Sequence, residues 1–223
     1  MSLLESLLQA AGPLMAAAFT LRGSPVTWLE IVAFVLSLAM VAANMRVHPL
    51  AWPLAIAASL LYGLLFAQSK LYGEASLQGL FVAVSLWGWW QWQRGRGGDG
   101  SALRVRRLSR RGAMVAAAAT LVAWPAAGAL LARTTDNEVP MLDALATVAS
   151  VTGQVLLGRK LLENWLVWLG VNVFSVGLFA SKGLWLTVLL YAVFAVLSVL
   201  GWLTWKRLEA ERDAVAPEAR RCA

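Results

Sequence analysis

Cysteine and histidine are almost absent from this chain of 223 residues. Cys222 is the single cysteine and His48 the single histidine. One thiol has no partner within the chain, so no disulfide framework can form. One cysteine and one histidine also cannot supply the ligand set of a zinc or iron site. We therefore expect no metal and no other cofactor, and we expect His48 to be a solvated loop residue beside Pro49.

Charged residues are scarce as well. They make up 14% of the chain, against 60% hydrophobic residues, whereas a soluble domain carries about 25% charged residues. This balance indicates that lipid is the solvent. Seven mostly apolar segments reach the length of about 20 residues that a bilayer-spanning helix needs. They are approximately residues 28–45, 49–67, 71–92, 112–132, 141–158, 164–181 and 184–205.

Acidic residues are missing from the middle of every predicted span. Proton relays usually need an acid near the bilayer midplane, so their absence favours uncoupled transport. No phosphate-binding P-loop sequence occurs. The stretch GRGGDG (95–100) matches a dinucleotide-binding pattern in letters only, because no strand precedes it. We interpret it as a flexible cytoplasmic linker. A membrane enzyme would show clustered acids or nucleophiles at one interface, and none is present, so we predict that the chain is not an enzyme.

The basic residues orient the predicted spans. The net charge of +7 comes mainly from arginines in short loops, and residues 94–111 hold seven arginines against one aspartate. Cytoplasmic loops carry such an excess, which predicts an inner-membrane protein with its N-terminus outside and its C-terminus in the cytoplasm. Nucleic acid is not an expected partner. Residues 3–19 are predicted to form an interfacial helix rather than a span, because Gly12-Pro13 interrupts them, and no cleaved signal peptide is expected.

The chain repeats itself. A shift of 113 residues without gaps lays residues 29–94 over residues 142–207. Tryptophan, arginine and glycine positions coincide, including Trp52 with Trp165 and Gly88 with Gly201. The predicted fold is all-α and membrane-embedded, with seven helices in a 3+1+3 parallel repeat of the SWEET type. The predicted divisions are 1–27, 28–94 (first repeat), 95–140 (basic loop and linker helix), 141–207 (second repeat) and 208–223 (cytoplasmic tail).

Polar residues inside the spans predict a binding site. Trp165, Trp168 and Asn172 share one helical face, and Gln154 lies on a polar face of the preceding span. An aromatic slot edged by amides suits a flat, cationic heterocycle that carries hydroxyls. Gln78 and Tyr191, which the shift superposes, and Asn164 are further candidates. The alternatives are an interfacial belt for the tryptophans, capping for Asn164 and Glu163, and a structural membrane subunit, which would not require the polar faces.

Three stretches resemble the PnuC family of bacterial nicotinamide riboside transporters. They are RKLLENWLVWLGVN, SLLYGLLFAQSKLYG and SLWGWWQWQRG, and the resemblance spans about residues 28–207. It implies a homotrimer with the same 3+1+3 repeat, in which the W-x-x-W motif, here Trp165 and Trp168, lines the vitamin site. The polar helper positions of the family fall on Asn172, Gln154 and Gln78, and less closely on Asn164 and Tyr191. Some members carry an amide in the second helix, where this chain has Ala57, Ala58 and Ser59.

The resemblance implies facilitated uptake of nicotinamide riboside for NAD biosynthesis. A cytoplasmic kinase would phosphorylate the substrate and trap it. Thiamine is a flat cationic heterocycle too, and relatives carry thiamine, riboflavin or other nucleoside-like vitamins. The alternative hypothesis is therefore the same mechanism with another vitamin.

Overall fold

The computed structural model describes residues 12–21, 24–68, 72–95, 103–134, 139–181 and 185–221. Seven α-helices lie in these ranges. They are α1 (Trp28–Met45), α2 (Ala51–Gln68), α3 (Tyr72–Arg94), α4 (Arg110–Thr134), α5 (Pro140–Gly158), α6 (Asn164–Ser181) and α7 (Trp185–Arg221). Apart from a short N-terminal hairpin, the regular structure of the described chain is helical, as predicted.

Helix boundaries agree closely with the sequence pattern. The bounds of α1 and α6 match the predicted spans, and the other N-termini differ by one or two residues. The exception is α7, which continues to Arg221 where a solvated tail was expected after residue 207. By length and composition, α1, α2, α4, α5 and the described part of α7 are able to cross a membrane. The described apolar part of α6, Asn164–Leu178, is shorter than a span.

The N-terminal segment differs from the prediction of an interfacial helix. Residues Gly12–Met15 form a 3-10 turn, and Ala17–Leu21 (β1) pairs antiparallel with Ser24–Thr27 (β2). Residues 1–11 lie outside the described part. The physical reason is local, because Gly12-Pro13 stops a helix and the following Phe-Thr and Val-Thr pairs favour extended backbone. The prediction was therefore wrong for residues 12–19.

The chain divides into two compact units, Met1–Trp89 and Trp90–Ala223. In the first unit, α1 packs against α2. A capping box starts α1, in which the Thr27 hydroxyl accepts from the Glu30 amide at 3.2 Å and the Glu30 carboxylate accepts from the Thr27 amide at 2.7 Å. The Trp52 indole is buried, and it lies on Gly88 of α3 so closely that a side chain there would overlap the ring.

In the second unit, α6 packs against both α5 and α7, and α4 packs against α5. Two polar contacts fix α4 on α5. The hydroxyls of Thr120 and Thr152 are 2.7 Å apart, and the Trp124 indole N–H donates to the Met141 carbonyl at 2.7 Å. The exposed side chains of α4 are apolar along most of its length, as expected for a helix that faces lipid.

Residues 103–109, which we call the docked segment, lie against the loop between α5 and α6. Arg106 pairs with Leu161 in a parallel bridge, through Arg106 N–H to the Lys160 carbonyl and Leu162 N–H to the Arg106 carbonyl. Leu103 and Val105 are buried, whereas Arg104 and Arg106 are exposed. This alternation is the pattern of a strand with one buried face.

Three side chains hold the docked segment in place. Lys160 Nζ donates to the Leu103 carbonyl at 3.0 Å and lies 4.9 Å from the centre of the Trp92 ring. The Glu163 carboxylate accepts from the Leu108 amide at 2.7 Å, and Glu209 pairs with Arg107 at 2.9 Å. Burial lowers the pKa of Lys160. Part of the arginine-rich loop is therefore ordered structure.

Candidate functional site

Helix α6 carries the predicted tryptophan pair near its start. Trp165 is 3% exposed, and its six-membered ring lies against Gly201 of α7, where a Cβ atom would come within 2.5 Å of the ring carbon Cε3. The ring also meets Trp205 edge-to-face, with 5.7 Å between centroids. Trp165 therefore packs inside the α6–α7 interface, much as Trp52 packs on Gly88 in the first unit.

Trp168 has a different environment. It is half-buried, and its indole lies over Gly153 of α5, where a Cβ atom would be 3.2 Å from Cε2 and 3.3 Å from Nε1. The two tryptophans thus contact different helices. Trp165 is buried, whereas Trp168 is only partly buried.

Two amides lie next to this tryptophan along their helices. Gln154 follows Gly153 in α5 and is buried. Asn172 is one turn beyond Trp168 in α6, is 5% exposed, and donates from Nδ2 to the Ser198 hydroxyl of α7 at 3.1 Å. Such groups are costly to place in an apolar interior unless they have partners, so their presence favours a functional role.

Tyr191 lies on α7 and joins the same polar layer. Its hydroxyl hydrogen-bonds the side chain of Ser175, one turn beyond Asn172 on α6, and its ring meets Phe194 edge-to-face. Ser175 and Ser198 are both buried. The sequence prediction did not include Ser198 in the site, although the match of Ser85 with Ser198 under the 113-residue shift marked it.

Asn164 lies at the beginning of α6 and is fully buried. Its Nδ2 donates to the Leu161 carbonyl at 2.7 Å, within the loop that the docked segment covers. The adjacent Glu163 binds the Leu108 amide of the docked segment. Both residues therefore stabilise the loop at the start of α6, and neither of these bonds is that of a side chain that caps α6 by accepting from its first-turn amides.

Gln78 belongs to the first unit. It is a half-buried residue of α3 that approaches Gly63 of α2, where a Cβ atom would lie 3.4 Å from the Gln78 Cβ. The structure therefore brings Trp168, Asn172, Gln154 and Tyr191 into the second unit together with Trp165 and Asn164. The participation of Gln78 stays a prediction.

A groove of about 380 Å³ opens beside the N-terminal end of α5 and the C-terminal half of α6. Its lining is apolar and is made by Leu142, Val173, Phe174, Gly177 and Leu178. None of the predicted site residues lines it, and its lining side chains carry no polar group to orient a hydrophilic ligand. We do not assign this groove to substrate.

Known proteins resemble this chain over most of its length. A family described as nicotinamide mononucleotide transporters matches residues 27–207. The nicotinamide riboside transporter PnuC of Escherichia coli (strain K12) is 28% identical over 180 residues, which cover 70% of this chain and 75% of that protein. The riboflavin/roseoflavin transporter RibM of Streptomyces davaonensis is 30% identical over 203 residues, covering 88% of this chain and 92% of that protein.

A solved structure supports the same relationship at the level of the fold. The crystal structure of the vitamin B3 transporter PnuC superposes with a TM-score of 0.68 at 23% identity, covering 92% of this chain and 89% of that chain. The matched family and the relatives named above are transporters and not enzymes. The resemblance to PnuC proteins drawn from the sequence motifs is thereby confirmed. The chain belongs to the nicotinamide mononucleotide transporter family.

Proposed function

We propose that this protein takes up a flat, cationic, hydroxyl-bearing vitamin precursor, and that nicotinamide riboside is its substrate. The observation that carries the proposal is the group formed by Trp168, Asn172 and Gln154 in a chain of this transporter family. The partly buried indole of Trp168 would attract a pyridinium cation with about 0.5–2 kcal/mol. The amides bind the carboxamide or the ribose hydroxyls.

The roles of the two tryptophans differ in this proposal. Trp168 touches the ligand, because it keeps accessible surface beside Gly153. Trp165 fixes α6 on α7 and so sets the position of Trp168 one turn later. Tyr191, through Ser175, supports the same polar layer. Gln78 and Asn164 stay predicted contacts, and the Asn164 side chain also bonds the loop before α6.

Transport by facilitated diffusion is the proposed mechanism. The acids of α1 and α5 lie in the first turns of these helices, at Glu30 and Asp143, and Glu163 and Glu209 bind the docked segment or its arginine. These positions are far from the middle of a span, where a proton-coupling acid would act. A cytoplasmic kinase would then trap the product, which provides the direction of net uptake for NAD biosynthesis.

The architecture proposed for this mechanism is the 3+1+3 repeat. It is supported by the helix bounds, since shifting α2 and the start of α3 by 113 residues gives the bounds of α6 and the start of α7. We further propose that α3 and α6 also span the membrane, that the N-terminus is outside, and that three copies assemble. Cysteine accessibility from each side of the membrane tests the orientation, and light scattering in detergent tests the assembly.

Uptake into proteoliposomes tests the substrate. Nicotinamide riboside, thiamine and riboflavin are compared as radiolabelled solutes, without any kinase, for the wild type and for Trp168→Ala. We expect equilibration of nicotinamide riboside without a proton gradient and a large loss of rate in Trp168→Ala. Accumulation above the outside concentration would contradict uncoupled diffusion. If only another vitamin were taken up, that vitamin would be the substrate, and the proposed mechanism would stand.

Riboflavin is the second candidate. The riboflavin/roseoflavin transporter RibM is as similar to this chain as PnuC of Escherichia coli and is matched over a larger share of it. A flavin is uncharged and has three fused rings, so it would need stacking area more than cation attraction. Competition between the two vitamins in the same liposomes separates the candidates.

A further inference from the structure

A chain of three hydrogen-bonding groups fixes how Asn172 presents its amide. The Ser198 hydroxyl donates to the Phe194 carbonyl at 2.8 Å, and Asn172 Nδ2 donates to Ser198 at 3.1 Å. A carbonyl can only accept, so the single proton of Ser198 is committed to Phe194. The Ser198 oxygen can then only accept from Asn172, which must turn its NH₂ group towards α7.

The opposite end of the amide is therefore defined as well. With Nδ2 held by Ser198, Oδ1 of Asn172 points away from that bond as an acceptor. Among the residues that the structure describes, none donates to Oδ1. Asn172 is 5% exposed and Ser198 is 3% exposed, so water competes weakly for this layer. Oδ1 is not among the buried polar atoms that lack a partner in the described part of the chain, so a donor on a ligand can reach it.

The first unit has no amide side chain at the position that corresponds to Asn172. Residue 59, which the 113-residue shift places on Asn172, is serine, although a buried Ser85 stands where the second unit has Ser198. A serine at this position of the third helix is thus common to both units. The amide that it orients is found only in the second, which indicates that Asn172 is not required to build a three-helix unit.

We infer that Ser198 is a positioning residue for substrate specificity: it holds Asn172 so that Oδ1 accepts a hydrogen bond from a hydroxyl or amide N–H of the transported molecule. A molecule with an acceptor or a carboxylate at that point is rejected, because two acceptors would face each other. The inference rests on the proposed substrate site.

A double-mutant cycle tests the inference. Binding of nicotinamide riboside is measured by calorimetry for wild type, Ser198→Ala, Asn172→Ala and the double variant, together with melting temperatures. We expect Ser198→Ala to weaken binding roughly fivefold and to cause no further loss in the Asn172→Ala background. Ser198→Thr should restore most of the affinity. Thr204→Val is the control, because within the described residues the Thr204 hydroxyl donates to the Leu200 carbonyl of its own helix, at 2.8 Å.

Each outcome has a distinct meaning. Losses that add in the double variant, or a Ser198→Ala protein that binds like wild type, would overturn the inference. If Ser198→Ala does not fold, Ser198→Cys replaces it, since a thiol accepts hydrogen bonds weakly and should give nearly the same loss. Failure of the wild type to bind nicotinamide riboside, with riboflavin failing too, would instead refute the proposed function. Analogues of nicotinamide riboside that each lack one hydrogen-bond donor then identify the group that binds Oδ1. Removal of that group should weaken binding to the wild type and should not weaken binding to Asn172→Ala any further.

Discussion

Val47 and Lys160 lie 113 residues apart and adopt the same left-handed backbone, with φ of 53° and 52°. Each follows an arginine that ends a helix with nearly the same dihedral angles, φ −85° and ψ 6° at Arg46, φ −89° and ψ 6° at Arg159. The backbone hydrogen bonds of the two loops also recur, such as His48 N–H to Ala43 and Leu161 N–H to Leu156. Each unit thus contains the same turn, built from different side chains.

The first prediction concerns the strain at Val47. A left-handed conformation costs about 1–2 kcal/mol for a residue with a Cβ atom, and a β-branched residue tolerates it worst. Val47→Asn should therefore raise the free energy of unfolding by about 1 kcal/mol, or the melting temperature by about 2–4 °C. Thermal unfolding in detergent measures this. Val47→Ala is the control, because it keeps a Cβ atom; an equal gain there would show that the side chain, and not the backbone, was responsible.

The second prediction concerns the two glycines beneath buried tryptophans. Gly88→Ala and Gly201→Ala each place a methyl group inside the ring of Trp52 or Trp165. Overpacking of this kind costs about 1–3 kcal/mol, so both melting temperatures should fall by similar amounts. Gly170→Ala has open space within 4 Å and should be neutral or slightly stabilising. A neutral Gly201→Ala would contradict the close α6–α7 contact.

The third prediction separates Trp165 from Trp168. Trp165→Leu should lower the melting temperature strongly, because truncation of a buried tryptophan costs about 3–5 kcal/mol. In the folded fraction it should change vitamin affinity only a few-fold. Trp168→Leu should lose up to about thirtyfold in affinity with a smaller loss of stability. Calorimetry and thermal unfolding on the same samples measure both; the reverse pattern would make Trp165 the ligand contact.

The fourth prediction concerns the docked segment. Glu163→Gln weakens the bond to the Leu108 amide, and Lys160→Met removes the bond to the Leu103 carbonyl. Hydrogen exchange of residues 103–109 should become faster in both variants, and each should lose about 1–2 kcal/mol of local stability. Glu211→Gln is an exposed control on α7 and should leave exchange unchanged.

Lys160 should also make the stability of the protein depend on pH. Burial lowers the pKa of Lys160 below its ordinary value of 10.5, so in the alkaline interval between the folded and unfolded pKa values the unfolded chain binds more protons. Lys160 alone therefore makes the free energy of unfolding rise with pH through that interval. At pH values below the interval, the cost of burying the charged Lys160 is fully present. The rise should be smaller in Lys160→Met, measured by thermal unfolding across alkaline buffers. An unchanged slope would mean that another group causes it.

The sequence predicted the seven helices because their apolar lengths and boundaries are local properties. It placed α1 and α6 without error and missed the hairpin at residues 17–27, where a weak apolar pattern outweighed the extended backbone preference of Thr20 and Val26. It could not predict that Trp165 and Trp168 contact different helices. Residues three apart on a helix differ by about 60° in direction, so which neighbour each one meets depends on tertiary packing. The docked segment could not be predicted either, because its backbone hydrogen bonds to the loop between α5 and α6 depend on tertiary packing and not on its side-chain pattern.

The contacts of Lys160 and Glu163 bear on how such proteins are grouped. Both belong to the most distinctive stretch of the sequence, RKLLENW, and both hold residues 103–109 rather than facing Asn172 or Gln154. In this chain these two residues of the stretch therefore serve the assembly of the loop between α5 and α6. This chain is similar to proteins named for nicotinamide riboside and for riboflavin. The determinant of the substrate should instead be sought at the polar layer of α6 and α7, where the Asn172 amide is proposed to select the edge of the molecule.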